Sequence, residues 1–426
     1  MDASAIELGR PYGIEPIRDG LARSERVTYR DNGNRSMEGR EFLRLLEPIL
    51  PSFGITRVAD ISNLAPHAFP VFQSCRPNIF CHTTYGQNTG SQGKGRSRTQ
   101  AKISCIMESI ESFCSEPKNV TQIRATYAFL KKQFVVMDPS EFTIRYGGSR
   151  PKWSDYLMWT PAYSVEHDCE VWIPSETVFM PFGPEQFETR SFFPCSSNGL
   201  ASGATYIESA IHALYEVIER YYMAYFEVGK TYISGLFEDE YEGFDIAAFN
   251  RDLGQEFELQ LFSVELNHVA INIPMILCCL AREAGSYIGY GCSGNVAMSI
   301  DRAISEALQS YATRISGSRE DMHNRTILPR KFLRGRAPSE RNLRILDYTS
   351  RVANFTFEDL HDEYRFLIDW IHQCGFQNIC IANLTRISLE IPVVKVIVPG
   401  MPCRYEVRRP LETKPYDHVI RASFRF

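Results

Sequence analysis

Apolar positions recur at helical spacing in three long stretches, and in each the polar positions gather into a stripe. The clearest is Thr205 to Tyr225, TYIESAIHALYEVIERYYMAY. Thr205 followed three residues later by Glu208 is a capping-box pattern and predicts a helix start. Glu208, His212, Glu216 and Glu219 step by four, four and three. At about 100° per residue they share one face, while Leu214, Val217, Ile218 and Tyr221 lie mainly elsewhere and can be buried. The second stretch, Ser97 to Phe113, opens on another capping-box pair, Ser97 and Gln100. Its polar positions Gln100, Ser104, Glu108 and Glu111 repeat the same steps. A third helix is predicted from near Ser299, where Arg302, Glu306 and Gln309 step by four and three and Ser305 lies beside them. The threefold recurrence suggests an internal structural repeat, although the segments share little identity.

Between these helices the pattern changes to short runs of β-branched and aromatic residues punctuated by turn residues. Strands are predicted in Gly54 to Ile61, Phe69 to Phe72, Ile79 to Thr84, Glu141 to Tyr146 and Asp168 to Phe182. Further strands are predicted in Glu258 to Pro274, Ile379 to Leu384 and Ile391 to Val398. Shorter helices are predicted at Glu41 to Leu50 and Thr356 to Cys374, and Phe244 to Phe249 fits either state. Residues 1–40 are polar, glycine-bearing and weakly periodic, which reads as an arm or a loosely attached cap. Met322 to Ile345 is arginine-rich with little apolar periodicity, and reads as a lid, an insertion or a solvated loop.

Composition narrows the classes. The 426 residues are 44% hydrophobic, enough for a substantial core. The formal net charge of -5 gives no global pull towards nucleic acid or an anionic membrane. No positive region followed by an apolar one opens the chain, so no signal peptide is visible. The longest apolar run, around Ile271 to Ala284, is interrupted by asparagine, proline and charge and is too short for a bilayer. Twelve cysteines are spread through the chain. Cys81, Cys105 and Cys114 do not have zinc-ribbon spacing, and Cys278 and Cys279 adjoin in an apolar run. Free thiols in a reducing cytoplasm are the expectation.

The candidate chemistry lies in the stripes. Two helices end their stripes in ExxE, and such pairs can hold a hard cation through oxygen. Two pairs together would be strongly negative unless cations neutralised them. Salt-bridged, solvated faces are the alternative. Gly86 to Gly95 is glycine-rich, carries Lys94 and leads into the Ser97 helix, an arrangement suited to phosphate at a helix N-terminus. It is not a Walker A loop, because Gly95 follows Lys94. Arg314, Arg319, Glu320 and Asp321 crowd around Gly317, where arginine could clamp phosphate or simply close a salt-bridged helix end.

Three segments together resemble the YcaO family: SQGKGRSRTQAKISCIMESIESF at 91–113, SSNGLASGATYIESAIHALYEVIERYY at 196–222 and RAISEALQSYATRISGSRED at 302–321. EIPVVKVIVPG at 390–400 is similar to a late strand of that family. The resemblance spans roughly residues 50 to 402. It implies an α+β fold of mixed and antiparallel sheets packed with helices, with an ATP pocket between helix-bearing subdomains. The implied layout is an N-terminal arm or cap at 1–50, a catalytic domain at 51–402 with the basic insertion inside it, and a tail at 403–426. It implies ATP and Mg2+ as cofactors, with Glu108, Glu111, Glu208, Glu216, Glu219 and Glu306 as metal ligands. Lys94, Ser97, Ser104, Arg220, Arg302 and Arg319 are the implied nucleotide contacts. His212 has no implied catalytic role and reads as a supporting or packing residue.

The implied chemistry is activation of a peptide backbone amide by O-phosphorylation, with no nucleophile required from the protein. A Cys, Ser or Thr side chain of a ribosomally made precursor peptide would give an azoline, and this cyclodehydratase reading comes first. The partners would be an E1-like leader-binding protein and a flavin dehydrogenase. Sulfide would give a thioamide with a TfuA-like partner, and an amine an amidine. A non-catalytic scaffold or regulatory subunit is the reading from another class. Two departures from the family pattern stand out: Ala204 replaces a polar residue, and the chain ends RASFRF where azoline-forming members often end in PxPxP. No leader-recognition domain is apparent in the N-terminal region. No nucleic acid or membrane partner is expected, and the assembly state is open, a homodimer included.

Overall fold

The apolar surface of the Thr205 stretch is explained by its place in the fold: the helix lies between two β-sheets and is buried on almost every side. The computed structural model describes residues 13–30, 33–77, 89–117, 120–145, 147–183, 189–237, 240–241, 244–253, 256–282, 285–317, 342–386 and 389–403. The strand expected at Ile79 to Thr84, the residues 318–341 that hold Arg319 and most of the basic stretch, and the tail from residue 404 lie outside them.

The chain begins with helix α1 (Glu15–Leu21), a hairpin of β1 (Tyr29–Arg30) and β2 (Asn34–Arg35), and helix α2 (Gly39–Leu46). Strands β3 (Arg57–Asp60), β4 (Val71–Cys75) and β5 (Gly90–Lys94) form an antiparallel sheet and lead into α3 (Arg98–Cys114). Then come β6 (Ile123–Thr126), α4 (Tyr127–Leu130), β7 (Tyr156–Ser164), β8 (Cys169–Pro174), β9 (Leu200–Ser202) and α5 (Tyr206–Glu227). Strand β10 (Thr231–Phe237), the short pair β11 (Glu240–Tyr241) and β12 (Phe244–Asp245), and α6 (Ile246–Leu253) follow. Next are β13 (Glu258–Leu266), β14 (Met275–Arg282), β15 (Gly285–Cys292) and α7 (Val296–Ser316). The described part closes with β16 (Asn342–Arg344), α8 (Ile345–Thr349), α9 (Leu360–Gln373), β17 (Cys380–Asn383) and β18 (Val393–Ile397).

One large sheet has the order β15-β14-β13-β10-β16, antiparallel except for the β10/β16 pair. The other has the order β6-β7-β17-β18-β9, with β8 also on β7, and is antiparallel throughout. The expected α+β fold of mixed and antiparallel sheets is therefore present. Alternation along β14 shows how the layers stack. Met275, Leu277, Cys279 and Ala281 join the core around α5 and α9, whereas Ile276, Cys278 and Leu280 join the core under α7. The second sheet does the same: Val394 and Val396 face the α5 core, and Val393 joins the core that contains α3. Both sheets are thus covered on both faces, with α5 shared between them.

Several expectations change. Of the arm or cap expected at residues 1–40, the described residues 13–30 are not loosely attached: Ile17 is fully buried, and Ile14, Leu21 and Val27 belong to the α5 core. The strand expected at Glu141 to Tyr146 does not form over the described residues Glu141–Arg145. A 3-10 turn at Pro139–Glu141 takes its start, and the Arg145 backbone N–H donates to Phe192 O. The longest strands in the second sheet include β7, which no alternating pattern marks, because its apolar residues run almost unbroken. The glycine-rich approach to α3 is strand from Gly90 onward, not a loop. Its glycine is needed for packing: a Cβ on Gly93 would sit 2.0 Å from Cys105 N and 2.2 Å from Ala101 O on α3. Gly289 and Gly291 play the same part where β15 meets α7. The described cysteines are all free thiols, and no described helix is long and apolar enough to cross a membrane.

Gly93→Ala must push β5 away from α3, because the clash is with backbone. The expected loss of stability is about 1–3 kcal/mol or more, read from chemical denaturation against wild type. A variant as stable as wild type would contradict the close approach.

Candidate functional site

Each predicted stripe lies on a helix that follows a strand directly, and the three stripes face a single cavity of about 810 Å³. Helix α3 contributes Ser104, Glu108 and Glu111, α5 contributes Glu208, His212, Glu216, Glu219 and Arg220, and α7 contributes Arg302, Glu306 and Gln309. Lys94 enters from the end of β5. Of the residues expected at the site, Ser97 does not line the cavity. Its hydroxyl instead accepts the Gln100 N–H at 3.1 Å as the N-cap of α3. Both capping pairs form with an offset. Thr205 caps α5, but the reciprocal bonds go one residue earlier, from Ala204 N–H to Glu208 and from Arg96 N–H to Gln100.

The carboxylates are held by backbone N–H groups of the strands beside them. Gln92 N–H donates to Glu108 at 2.9 Å, and Tyr290 N–H donates to Glu306 at 3.2 Å. The Ser202 N–H and hydroxyl both donate to Glu111 Oε1, at 2.9 and 2.6 Å. Such bonds orient an anion without adding a mobile side chain. Arg220 lies 2.7 Å from Glu219 and 3.6 Å from Glu216, and Lys94 lies 3.8 Å from Glu306. Arg302 makes no hydrogen bond or ion pair among the described residues and lines the cavity.

Glu208 has a partner that nothing in its own helix announces. The Ser36 N–H and hydroxyl donate to its Oε1 at 2.6 and 2.7 Å, and Arg35 lies 3.8 Å away. The hairpin thus joins α5 across 172 residues of sequence. Tyr29, Arg35, Met37, Gly39 and Phe42 of this N-terminal segment line the cavity. No periodic pattern marks them, so only the tertiary contact reveals them. Gln92 and Ser202 were also missed, and their part in holding carboxylates is played by main chain, which carries no residue signature.

Burial sets the electrostatics. It pushes the Glu111 carboxyl up to about 8, against the Ser202 hydrogen bond, with the charges of Glu216 and Glu108 adding to the rise. Burial likewise pushes Glu216 up to about 7, opposed by Arg220. Glu219 is raised too, by burial and then by Glu306, against Arg220. Burial pulls His212 down to about 3, with Arg302, Arg35 and Lys94 contributing, so the imidazole is neutral near neutrality. Ionised carboxylates gathered in such a place call for a positive counter-charge. The acidic donor set is all oxygen, which suits a hard cation. Among the described residues no three acidic, histidine or cysteine side chains form a self-sufficient metal cluster.

The chain as a whole is similar to known proteins. The family model described as YcaO cyclodehydratase, ATP- and Mg2+-binding, matches residues 92–402. An uncharacterized protein of Methanothermobacter thermautotrophicus is 28% identical over 384 residues, which cover 85% of this chain and 93% of that protein. An uncharacterized protein in the tfuA 3' region of Rhizobium leguminosarum bv. trifolii is 25% identical over 411 residues, 91% of this chain and 93% of that one. Among solved structures, YcaO from Methanopyrus kandleri bound with AMPPCP and Mg2+ matches with a TM-score of 0.71 at 21% identity. That match covers 91% of this chain and 99% of the other, and the likeness is one of fold.

The raised carboxyls predict a pH dependence of stability. Where a folded-state carboxyl value lies above the unfolded one, the folded protein binds more protons between the two, and its stability falls as pH rises through that interval. His212, depressed to about 3 from 6.5, acts oppositely, but only below about 6.5. Without divalent cations, stability should therefore fall between about pH 6.5 and 8, the interval in which Glu216 (about 7) and Glu111 (about 8) are still ionising. Glu111→Gln should flatten that slope. Thermal melts across the interval check this, and a slope unchanged by Glu111→Gln would refute it.

Proposed function

The chain belongs to the YcaO family, and from that premise we propose that it uses ATP and Mg2+ to activate backbone amides of a ribosomally made peptide. The observation that carries the reading is the meeting of carboxylates from α3, α5 and α7 in one cavity, with Lys94, Arg220 and Arg302 among them. Bound Mg–ATP supplies a phosphoryl group to the amide oxygen and so makes that oxygen a leaving group. The chain's own work is binding and placement, as in other phosphoryl transfers.

In this reading Glu108, Glu111, Glu208, Glu216, Glu219 and Glu306 offer carboxylate oxygens to the ions. Backbone N–H groups hold Glu108, Glu111, Glu208 and Glu306, while Arg220 lies beside Glu216 and Glu219. Lys94, Ser104, Arg220 and Arg302 meet the phosphates, and Arg302 is well suited because it has no other described partner to surrender. Ser97 serves indirectly by capping the helix that carries Ser104, Glu108 and Glu111. Arg319, expected among the phosphate contacts, follows α7 outside the described residues.

The family's description as a cyclodehydratase supports azoline formation as the first reading of the product. A Cys, Ser or Thr side chain of the peptide would attack the preceding carbonyl, and water would be lost overall through phosphate. An E1-like leader-binding protein would present the peptide, with a flavin dehydrogenase available for later oxidation. A specific observation supports a second reading. The Rhizobium relative, collinear over 91% of this chain, lies in a tfuA 3' region, which favours a TfuA-like partner and thioamide formation.

Two measurements test the proposal. Glu216→Gln should weaken Mg2+-dependent ATP binding by roughly ten-fold or more, measured by calorimetry. Wild-type affinity in that variant, or no ATP binding by the wild type with Mg2+, would sink the reading. Mass spectrometry of a precursor peptide incubated with the enzyme and each partner set then separates the products. Loss of one water per site marks an azoline, and exchange of one oxygen for sulfur marks a thioamide.

A further inference from the structure

Gln309 follows Arg302 and Glu306 on the same face of α7, one turn beyond Glu306. The proposed metal and phosphate contacts leave it without a task. Its side-chain Nε2 donates to the Gln92 carbonyl of β5 at 3.0 Å. Gln92 is 2% exposed and has hydrogen bonds on every polar group. Its backbone N–H holds Glu108 at 2.9 Å, and its carboxamide N–H reaches Gln73 Oε1 at 3.2 Å and Ser316 Oγ at 3.5 Å. Its carboxamide oxygen accepts the Thr313 hydroxyl. One buried residue therefore bonds a carboxylate of α3 on one side and three residues of α7 on the other.

We propose that Gln309 is a positioning residue that, with Thr313, fixes Gln92 and thereby sets where Glu108 on α3 stands relative to Arg302 and Glu306 on α7. The inference rests on the Mg–ATP reading of the cavity.

Among the ties between β5–α3 and α7, this joint is the most exacting. Lys94–Glu306 is a 3.8 Å pair whose side chains are 24% and 27% exposed, and Arg96, paired with Asp301, is 44% exposed. Charge pairs that water reaches tolerate a range of geometries and contribute little. Hydrogen bonds around a buried amide do not tolerate it, because an unmet donor or acceptor there loses its full solvation. The opposite side of α7 is held by backbone contact, since a Cβ on Gly289 would lie 2.1 Å from Ala303 O and one on Gly291 2.0 Å from Ser299 O. The Gln92 joint is then what defines the spacing on the cavity side. Mg2+ demands near-octahedral geometry at short metal–oxygen distances, so a small drift of Glu108 against Glu306 would be felt as weaker ion binding.

The test uses the full chain and reads binding, not turnover. Mg2+ is titrated at fixed ATP while nucleotide binding is followed by calorimetry, for wild type, Gln309→Leu and Thr313→Val, with thermal midpoints taken in parallel. Gln309→Leu should raise the Mg2+ needed for half-saturation about ten-fold, and Thr313→Val should raise it in the same direction, alongside the lowered thermal midpoint that an unmet buried acceptor brings. An unchanged Mg2+ requirement overturns the inference, as does a loss confined to the thermal midpoint. If Gln309→Leu does not fold, Thr313→Val decides by the same criterion. A wild-type protein that binds no nucleotide with Mg2+ removes the cavity reading and this inference together; normal wild-type binding matched by both variants removes this inference alone.

Discussion

Carboxylates gathered from three separate helices into one cavity are the constraint on which the rest of this structure depends. Glu111 and Glu216 have values pushed up to about 8 and about 7, chiefly by burial, which is the mark of anions kept where they are poorly solvated. A fold can keep them there only by supplying donors that do not move and by leaving room for cations. The strands supply the donors through Gln92, Ser202 and Tyr290 backbone N–H groups. The Gln92 and Tyr290 N–H groups reach the helices because Gly93, Gly289 and Gly291 let strand and helix approach closer than any side chain would permit. Packing and electrostatics are therefore one problem here, solved at the same strand–helix contacts.

Layering follows from the same arrangement. Helix α5 carries buried acids along one stripe and apolar residues around the remainder, so it must be enclosed by protein on nearly all sides. Two sheets enclose it, and each is covered on its far face by another helix of the site, α7 for one and α3 for the other. The N-terminal hairpin completes the enclosure. Ser36 satisfies Glu208, while Glu363 accepts hydrogen bonds from Tyr215 of α5 at 2.7 Å and Asn34 of the hairpin at 2.8 Å. These bonds tie a segment before the family match to the helix at its centre, and Tyr29, Arg35, Met37, Gly39 and Phe42 of that segment are part of the cavity wall.

Much of the site was legible in the sequence. The steps of four, four and three in Gln100/Ser104/Glu108/Glu111 and Glu208/His212/Glu216/Glu219 are local facts of helix geometry, and the capping pairs placed both helix starts correctly. What was not legible has a common cause. The glycine-rich approach to Ser97 looked like a phosphate loop because glycine signals freedom of the chain, yet Gly93 is there to admit the backbone of α3. Strand β7 was missed because a strand covered on both faces loses its alternation. Arg35, Ser36 and Gln92 matter through partners far away in sequence, or through main-chain atoms identical in every residue.

By itself, then, the sequence determined the helices, the face of each that would carry charge, and the family to which the three motifs point. These depend on interactions within a few turns of one helix, where spacing alone decides which side chains are neighbours. Only the tertiary structure decided that the three faces would meet, which backbone groups would orient the acids, and that the N-terminal hairpin would close over Glu208. Those outcomes depend on burial, and burial is a property of the layers that surround a residue, not of the residues beside it in the chain.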